Sequence, residues 1–367
     1  MKNFTHSLKP LLAPALAACA LAFTNLTAAC QDAPLLPPPA PIVSTVPTNG
    51  DVNPYGVFFA PANLTAGGVL QPGNILVSNF NNAENLQGTG TTIIRVDAHS
   101  NVSTFYQATA GHGLTAALGV LRRGIVLAGS LPTTDGTSST IQPGSLLIID
   151  KNGQLVGELT NAQFINGPWG MAVSDHGGTA QVFYSNVLAG NVVRLDVAFK
   201  ADGTFTIQNA VIIASGYAHR TDPAALVLGP SGLLFDAARD LLYVANSADN
   251  TIYAVRNAGQ LQSSNGVGTV VYTDAVHLHG PLDLVMAPNG DLIVANSDGF
   301  NPDPNQPSEL VEFTTDGKFV TQFSVDANNG GAFGIGLATE GTRAQVLRFA
   351  AVDDNANKLT IWTTTLR

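Results

Sequence analysis

The chain has 367 residues, of which only 11% are charged, and a formal net charge of −10. That charge content, against roughly 25% in an average globular domain, together with 37 glycines, describes a turn-dense β protein. The excess of acid argues against a nucleic-acid partner, and there is no Lys/Arg cluster for an anionic lipid surface.

Residues 1–29 read as an export signal: Lys2 and Lys9, an apolar run over 11–23, then small residues before Cys30. The run is too short to span a bilayer stably and no later one reaches that length, so no transmembrane span is expected. LTAAC, ending at Cys30, resembles a bacterial lipoprotein cleavage box, although Thr27 stands where Leu is preferred. LAAC ending at Cys19 fits the box better but leaves a shorter apolar run, and ordinary cleavage after Ala29 explains the same residues. A lipid-anchored form and a free exported form therefore both stay open, in the periplasm, at the cell envelope or outside the cell. Residues 30–41 form a Pro-rich tether (APLLPPPAP). The domain that follows, 42–367, contains no cysteine and so no disulfide framework. Without the leader, fourteen basic residues face 26 acidic ones, a formal charge of −12.

The first strand-like run is IVSTV at 42–46, and it stands alone. Six similar units follow, marked by NPYGVFF at Gly56, AALGVL at Gly119, GPWGMAV at Gly170, GPSGLLF at Gly232, GPLDLVM at Asp283 and GAFGIGL at Gly334. The steps between marks are 63, 51, 62, 51 and 51 residues, a period that belongs to repeat architectures. Within each unit, apolar runs of four to eight residues alternate with Gly, Asn and Asp turns, and no helical period is sustained. The last unit has three such runs where the others have four. The expected fold is an all-β, six-bladed propeller of four-stranded antiparallel blades. Residues 42–46 supply the missing strand and close the ring, which removes the open sheet edge.

PNGDLIVANSD (288–298) and LYVANSADNTIYAV (242–255) resemble the NHL-repeat propellers, and more loosely the gluconolactonase and regucalcin-like propellers. The resemblance covers about residues 42–367. It implies the propeller fold, but the repeat occurs in lactonases, lyases and binding modules alike, so it does not choose a function. In it, Asn79, Asn186, Asn246 and Asn296 close the second strands, where their amides are expected to cap the adjoining turn.

Blade-to-blade links and second-to-third-strand loops fall on one face of such a ring. On that face blade one carries a long loop at 81–90, blade two at 131–144 and blade five at 298–307, which together read as a binding rim. The residues before each mark, Tyr55, Leu118, Trp169, Ser231, Leu282 and Phe333, should form one ring near the channel mouth. That ring either floors an apolar pocket or packs blade against blade, with Asn53, Tyr55, Trp169 and Phe333 as the candidate ligand-binding set.

His112, His219, His277 and His279 also lie in links on this face, and His277 and His279 would share a side if extended. His112, His219 and His279 are the candidate ligands for one divalent cation, zinc or calcium. Zinc held by histidines from separate blades is what the resemblance to NHL-like amidating lyases implies. The resemblance to lactonases implies instead a glutamate at the first blade entrance, asparagines and an aspartate; here the first entrance gives Asn53 and no acid, and Asp283 stands one place beyond that aspartate. Asp283 replaces the repeat glycine, so it either hydrogen-bonds the neighbouring blade or serves chemistry. No G-x-S-x-G, H-E-x-x-H, Walker A or C-x-x-C spacing occurs.

Two functions follow. One is a binding module that takes a small molecule, glycan or protein on the loop-rich face without catalysis. The other is a metal-dependent lactonase or lyase at the mouth, with Asp283 and Arg220 as candidate catalytic residues.

Overall fold

The computed structural model describes residues 42–109, 111–200, 204–297, 302–303, 305–341 and 345–366. The expected leader, Cys30 and the tether lie outside them. Six four-stranded antiparallel sheets form the six blades, with chain order equal to spatial order in the first five. Blade four is typical: Pro230–Asp236, Leu241–Asn246, Thr251–Arg256 and Thr269–Thr273 run from the axis outward.

Closure is as the strand count requires. Blade six contributes Ala332–Glu340, Gln345–Asp353 and Lys358–Leu366, and Ile42–Ser44 pairs with the last of these, Ile42 opposite Thr360 and Ser44 opposite Lys358. The strand stops two residues short of Val46, but the crossing into blade one is fastened. The Thr45 amide donates to the Asn357 carbonyl (2.9 Å), and its carbonyl accepts from Asn79 Nδ2 (3.1 Å). Asp51, buried, accepts from the Thr91 amide and from both the Thr91 and Thr92 hydroxyls at 2.7 Å.

The innermost strands pack against one another around the axis. Every inner strand carries a register irregularity against its neighbour, at the residues that turn into the channel. There the repeat glycines have a steric cause. A Cβ on Gly334 would lie 1.7 Å from the Tyr55 carbonyl oxygen, and one on Gly170 would lie 2.1 Å from that of Ser231, so adjacent blades touch backbone to backbone.

Side chains staple the same seam at every boundary. Ser78 donates to the Thr115 carbonyl (2.7 Å), Thr115 to Pro168 (2.7 Å), Ser185 to Ser231 (2.7 Å) and Ser231 to Pro281 (2.9 Å). Between blades five and six the Ile335 amide donates to Asp283 Oδ2 (3.0 Å), and between six and one the Asn53 amide donates to Asn357 Oδ1 (2.8 Å).

Blade two corrects the expected ring. In blades one and three the irregularity holds two residues between paired positions, whereas blade two holds three, between Leu114 and Leu118. The register therefore equates Leu118 with Val57 and puts Ala117 in the place of the repeat glycine, two residues before Gly119. Thr115 takes the seat of Ser231. Leu118 leaves the mouth and lines the opposite end of the channel with Val57, Met171, Leu233, Leu284 and Ile335.

Candidate ligand site at the channel mouth

Three inner strands deliver aromatic rings to one point on the axis. Tyr55 meets Phe333 at 4.7 Å and Trp169 edge-on at 5.4 Å between ring centroids, and Phe80 closes the cluster at 5.0 Å from Tyr55 and 5.3 Å from Trp169. Phe80 follows the strand-closing Asn79 and was not singled out by the repeat. All four rings are nearly or fully buried. They plug the channel and floor a cavity of about 250 Å3 above it. Both roles offered by the sequence thus fall to the same rings, while Ser231 turns away into its staple.

The walls are polar. Asn53, Asn81, Asn85, Gln87, Ser297, Asp354 and Asn355 surround the cavity, and Leu282 joins the floor. Asn53 adopts φ of +60°, a left-handed conformation that Asn tolerates better than most residues. Asn81 Nδ2 donates to Asn85 Oδ1 (2.7 Å). Asn53 Oδ1 and Asn81 Oδ1 are buried and have no hydrogen-bond partner among the described residues. Buried polar atoms are almost always paired, so these two acceptors on one cavity wall are open to water or to a ligand donor.

Asp354 adds a third acceptor. Among the described residues nothing donates to its carboxylate, and burial first, then the negative charge of Asp353, pushes its pKa up to about 7. Burial and the nearby Asp354 raise the Tyr55 phenol far above its ordinary value, so it stays protonated.

A short hairpin that the repeat did not announce roofs part of the mouth. Arg220–Asp222 pairs with Leu226–Leu228 in the link between blades three and four, and Ala224, Ala225, Val227 and Leu228 line the cavity. Gln87 Nε2 reaches across to the Ala224 carbonyl (3.2 Å), and Thr133 Oγ1 donates to the Gln87 carbonyl (2.5 Å), so the loops of blades one and two are tied to each other and to the hairpin. The extra length of the third unit was the available signal.

The remaining sequence candidates are dispersed. His112 borders a surface cleft beside blade two, and its carbonyl accepts from Ser130 Oγ (2.6 Å). His219 is exposed, with Nδ1 2.9 Å from the Tyr217 carbonyl. Arg220 is exposed on the hairpin, 3.4 Å from the Ala248 carbonyl. His277 and His279 do not share a side, because 275–277 is a turn. His277 stacks on Phe319 (3.9 Å) beside Asp274, whereas His279 is buried and grouped with Asp303 and Glu309. Among the described residues neither His112 nor His219 belongs to a metal-capable group.

Asp283 lies below the plug, at the opposite end of the channel. Its two oxygens accept from the Leu284 and Ile335 amides at 2.9 and 3.0 Å, and burial pushes its pKa up to about 7 against those two bonds.

The strand-closing asparagines also do more than cap turns. Asn246 caps its own, accepting from the Ala248 amide (3.0 Å). Asn186 and Asn296 instead donate to the Phe164 and His277 carbonyls at 2.7 and 2.6 Å, fastening the link that enters their blade.

No family model matches the chain, and no curated protein matches it. Solved structures do. Regucalcin from Agrobacterium tumefaciens, a calcium-binding protein, aligns at a TM-score of 0.51 and 14% identity over 90% of this chain and 96% of that one. Virginiamycin B lyase from Staphylococcus aureus aligns at 0.43 and 13% over 89% and 88%. At 14% identity the likeness to regucalcin speaks for fold alone. The chain is a six-bladed β-propeller similar in fold to regucalcin.

Proposed function

We propose that the protein is an exported, non-catalytic binding propeller whose mouth takes a small hydroxyl-rich ring, a sugar either free or at the end of a glycan. The observation that carries this reading is the pairing of an aromatic floor with a wall of acceptors that lack donors. Tyr55, Trp169 and Phe333 suit the apolar face of a saturated ring, and Asn53 Oδ1, Asn81 Oδ1 and Asp354 suit its hydroxyls. The leader and tether at the start of the sequence support export.

The test is titration with glucose, galactose, mannose and N-acetylglucosamine, followed by the fluorescence of Trp169 in a Trp362→Phe background and by calorimetry. A saturable response that weakens about tenfold in Asp354→Ala, the loss of one charged hydrogen bond, supports the reading. A folded protein that answers to none of the four by either readout overturns it.

A second reading, a metal-dependent lactonase or lyase at the same mouth, is favoured by Asp354, an unheld carboxylate whose pKa near neutrality suits a general acid or base. It is weakened by the cavity lining, which contains no histidine and none of the His279, Asp303 and Glu309 group. Hydrolysis of gluconolactone with added Mn2+ or Ca2+, lost in Asp354→Asn, would exchange the two readings.

A further inference from the structure

Blade five departs from its siblings at one buried position. The residue that opens the third strand, opposite the strand-closing Asn, is Asn191 in blade three and Thr251 in blade four. In blade five the third strand opens with Glu309, which is fully buried. Asp303 lies beside it, and the link before the blade brings His279. One ligand atom from each residue lies within 4.8 Å of the others, with His279 Nε2 3.9 Å from Asp303 Oδ2.

We infer that His279, Asp303 and Glu309 bind a divalent transition-metal ion, zinc by preference, that clamps the blade-five loop to its blade. Two carboxylates crowded together away from water repel each other, and a cation at their shared point relieves that repulsion. An imidazole beside two carboxylates selects a borderline metal over calcium or magnesium, which prefer six or more oxygens. Ligand atoms this close reach bonds of about 2.1 Å by side-chain rotations in which His279 Nε2 exchanges its 3.2 Å contact with the Val276 carbonyl for the metal.

The surroundings fit. Asn296 Nδ2 donates to Glu309 Oε1 (3.0 Å), orienting it as an outer partner orients a metal-bound carboxylate. The oxygen of that same amide, Asn296 Oδ1, is buried without a hydrogen-bond partner among the described residues. Three protein ligands leave a fourth position for water or a further donor. The site is separate from the mouth cavity, so it survives or fails independently of sugar binding.

Elemental analysis of the full chain purified without chelator should find one zinc per molecule. EDTA should lower the melting temperature, and Zn2+ added back to the stripped protein should restore it. His279→Ala and Glu309→Gln should lose the zinc and the EDTA response, His219→Ala should keep both, and Asn296→Ala should weaken zinc about 10- to 100-fold. Because the stripping and refilling experiment uses the unaltered sequence, it stands even if a variant fails to fold. A stripped protein whose melting is indifferent to zinc, uptake of calcium alone, or stoichiometric zinc in a folded Glu309→Gln variant would each overturn the assignment.

Discussion

The two ends of the channel hold cavities of similar size, about 250 Å3 at the mouth and 230 Å3 at the opposite end, with opposite chemistry. The mouth has an aromatic floor under amides and Asp354. The far end is walled by Val57, Leu118, Met171, Leu233, Leu284 and Ile335 around Asp283. Each end contains one carboxylate whose pKa burial has pushed up to about 7. Yet Asp283 has a backbone amide on each oxygen and joins two blades, while Asp354 has no donor among the described residues. A raised pKa therefore reports burial in both cases, and only the hydrogen-bond inventory separates a staple from a group left open for a ligand.

The largest test of that contrast removes the fastening on the mouth side alone. A chain beginning at Asn53 loses the Ile42–Ser44 pairing, both Thr45 bonds and the three bonds to Asp51. At about 1 kcal/mol per net hydrogen bond, and with a sheet edge exposed, the loss is on the order of 3 kcal/mol or more. Denaturant unfolding should show it as a lower midpoint, and hydrogen exchange should rise first in blades one and six. Equal protection in all six blades would show that the ring does not close through this strand.

This part of the architecture was legible because it is carried by periodic, local signals: apolar runs, turn formers, and one strand too many at the front for one too few at the back. The site was legible only in part. Tyr55, Trp169 and Phe333 sit one residue before a glycine that sterics require, so the repeat pointed to them. Leu118 misled, because Gly119 imitates the mark while the register of blade two has slipped by the width of a wider bulge. Asp354, Asn81 and the Arg220–Asp222 hairpin carried no repeat signal, since loops answer to ligand and roof, which periodicity does not encode. Histidines were sought as a set across blades, but the metal-capable group takes two acids from blade five and one histidine from the link that enters it. Only the out-of-place Glu309 could have marked it.

A mid-sized effect separates the two aspartates. Asp283→Ala leaves the buried Ile335 amide without its acceptor and should cost about 1–3 kcal/mol, read as a lower denaturant midpoint at pH 5. Asp354→Asn removes no hydrogen bond within the described residues and should not lower stability at pH 5, where the unfolded carboxyl is already mostly ionised. Its effect lies in the pH profile. A carboxyl raised in the folded state to about 7 from an ordinary 3.8 is protonated more readily when folded, so its contribution is complete below pH 4 and is lost as pH rises through 7. The melting temperature should therefore fall from pH 5 to pH 8, and Asp354→Asn should flatten that fall. An unaltered profile in Asp354→Asn would mean that the carboxylate is already solvated or paired.

The smallest effect on stability should be the most telling about the mouth. Asn53 has φ of +60°, and its side-chain oxygen is a buried acceptor without a donor. Glycine adopts that backbone without strain, so Asn53→Gly keeps the amide bond to Asn357 and deletes the orphan oxygen. Removing an unsatisfied buried group offsets the extra entropy glycine brings to the unfolded chain, and unfolding should shift by no more than about 1 kcal/mol. Sugar-dependent quenching of Trp169 should weaken nonetheless, because one of three acceptors is gone. If stability drops by several kcal/mol while binding is untouched, Asn53 belongs to the seam between blades six and one, and the acceptor wall reduces to Asn81 and Asp354.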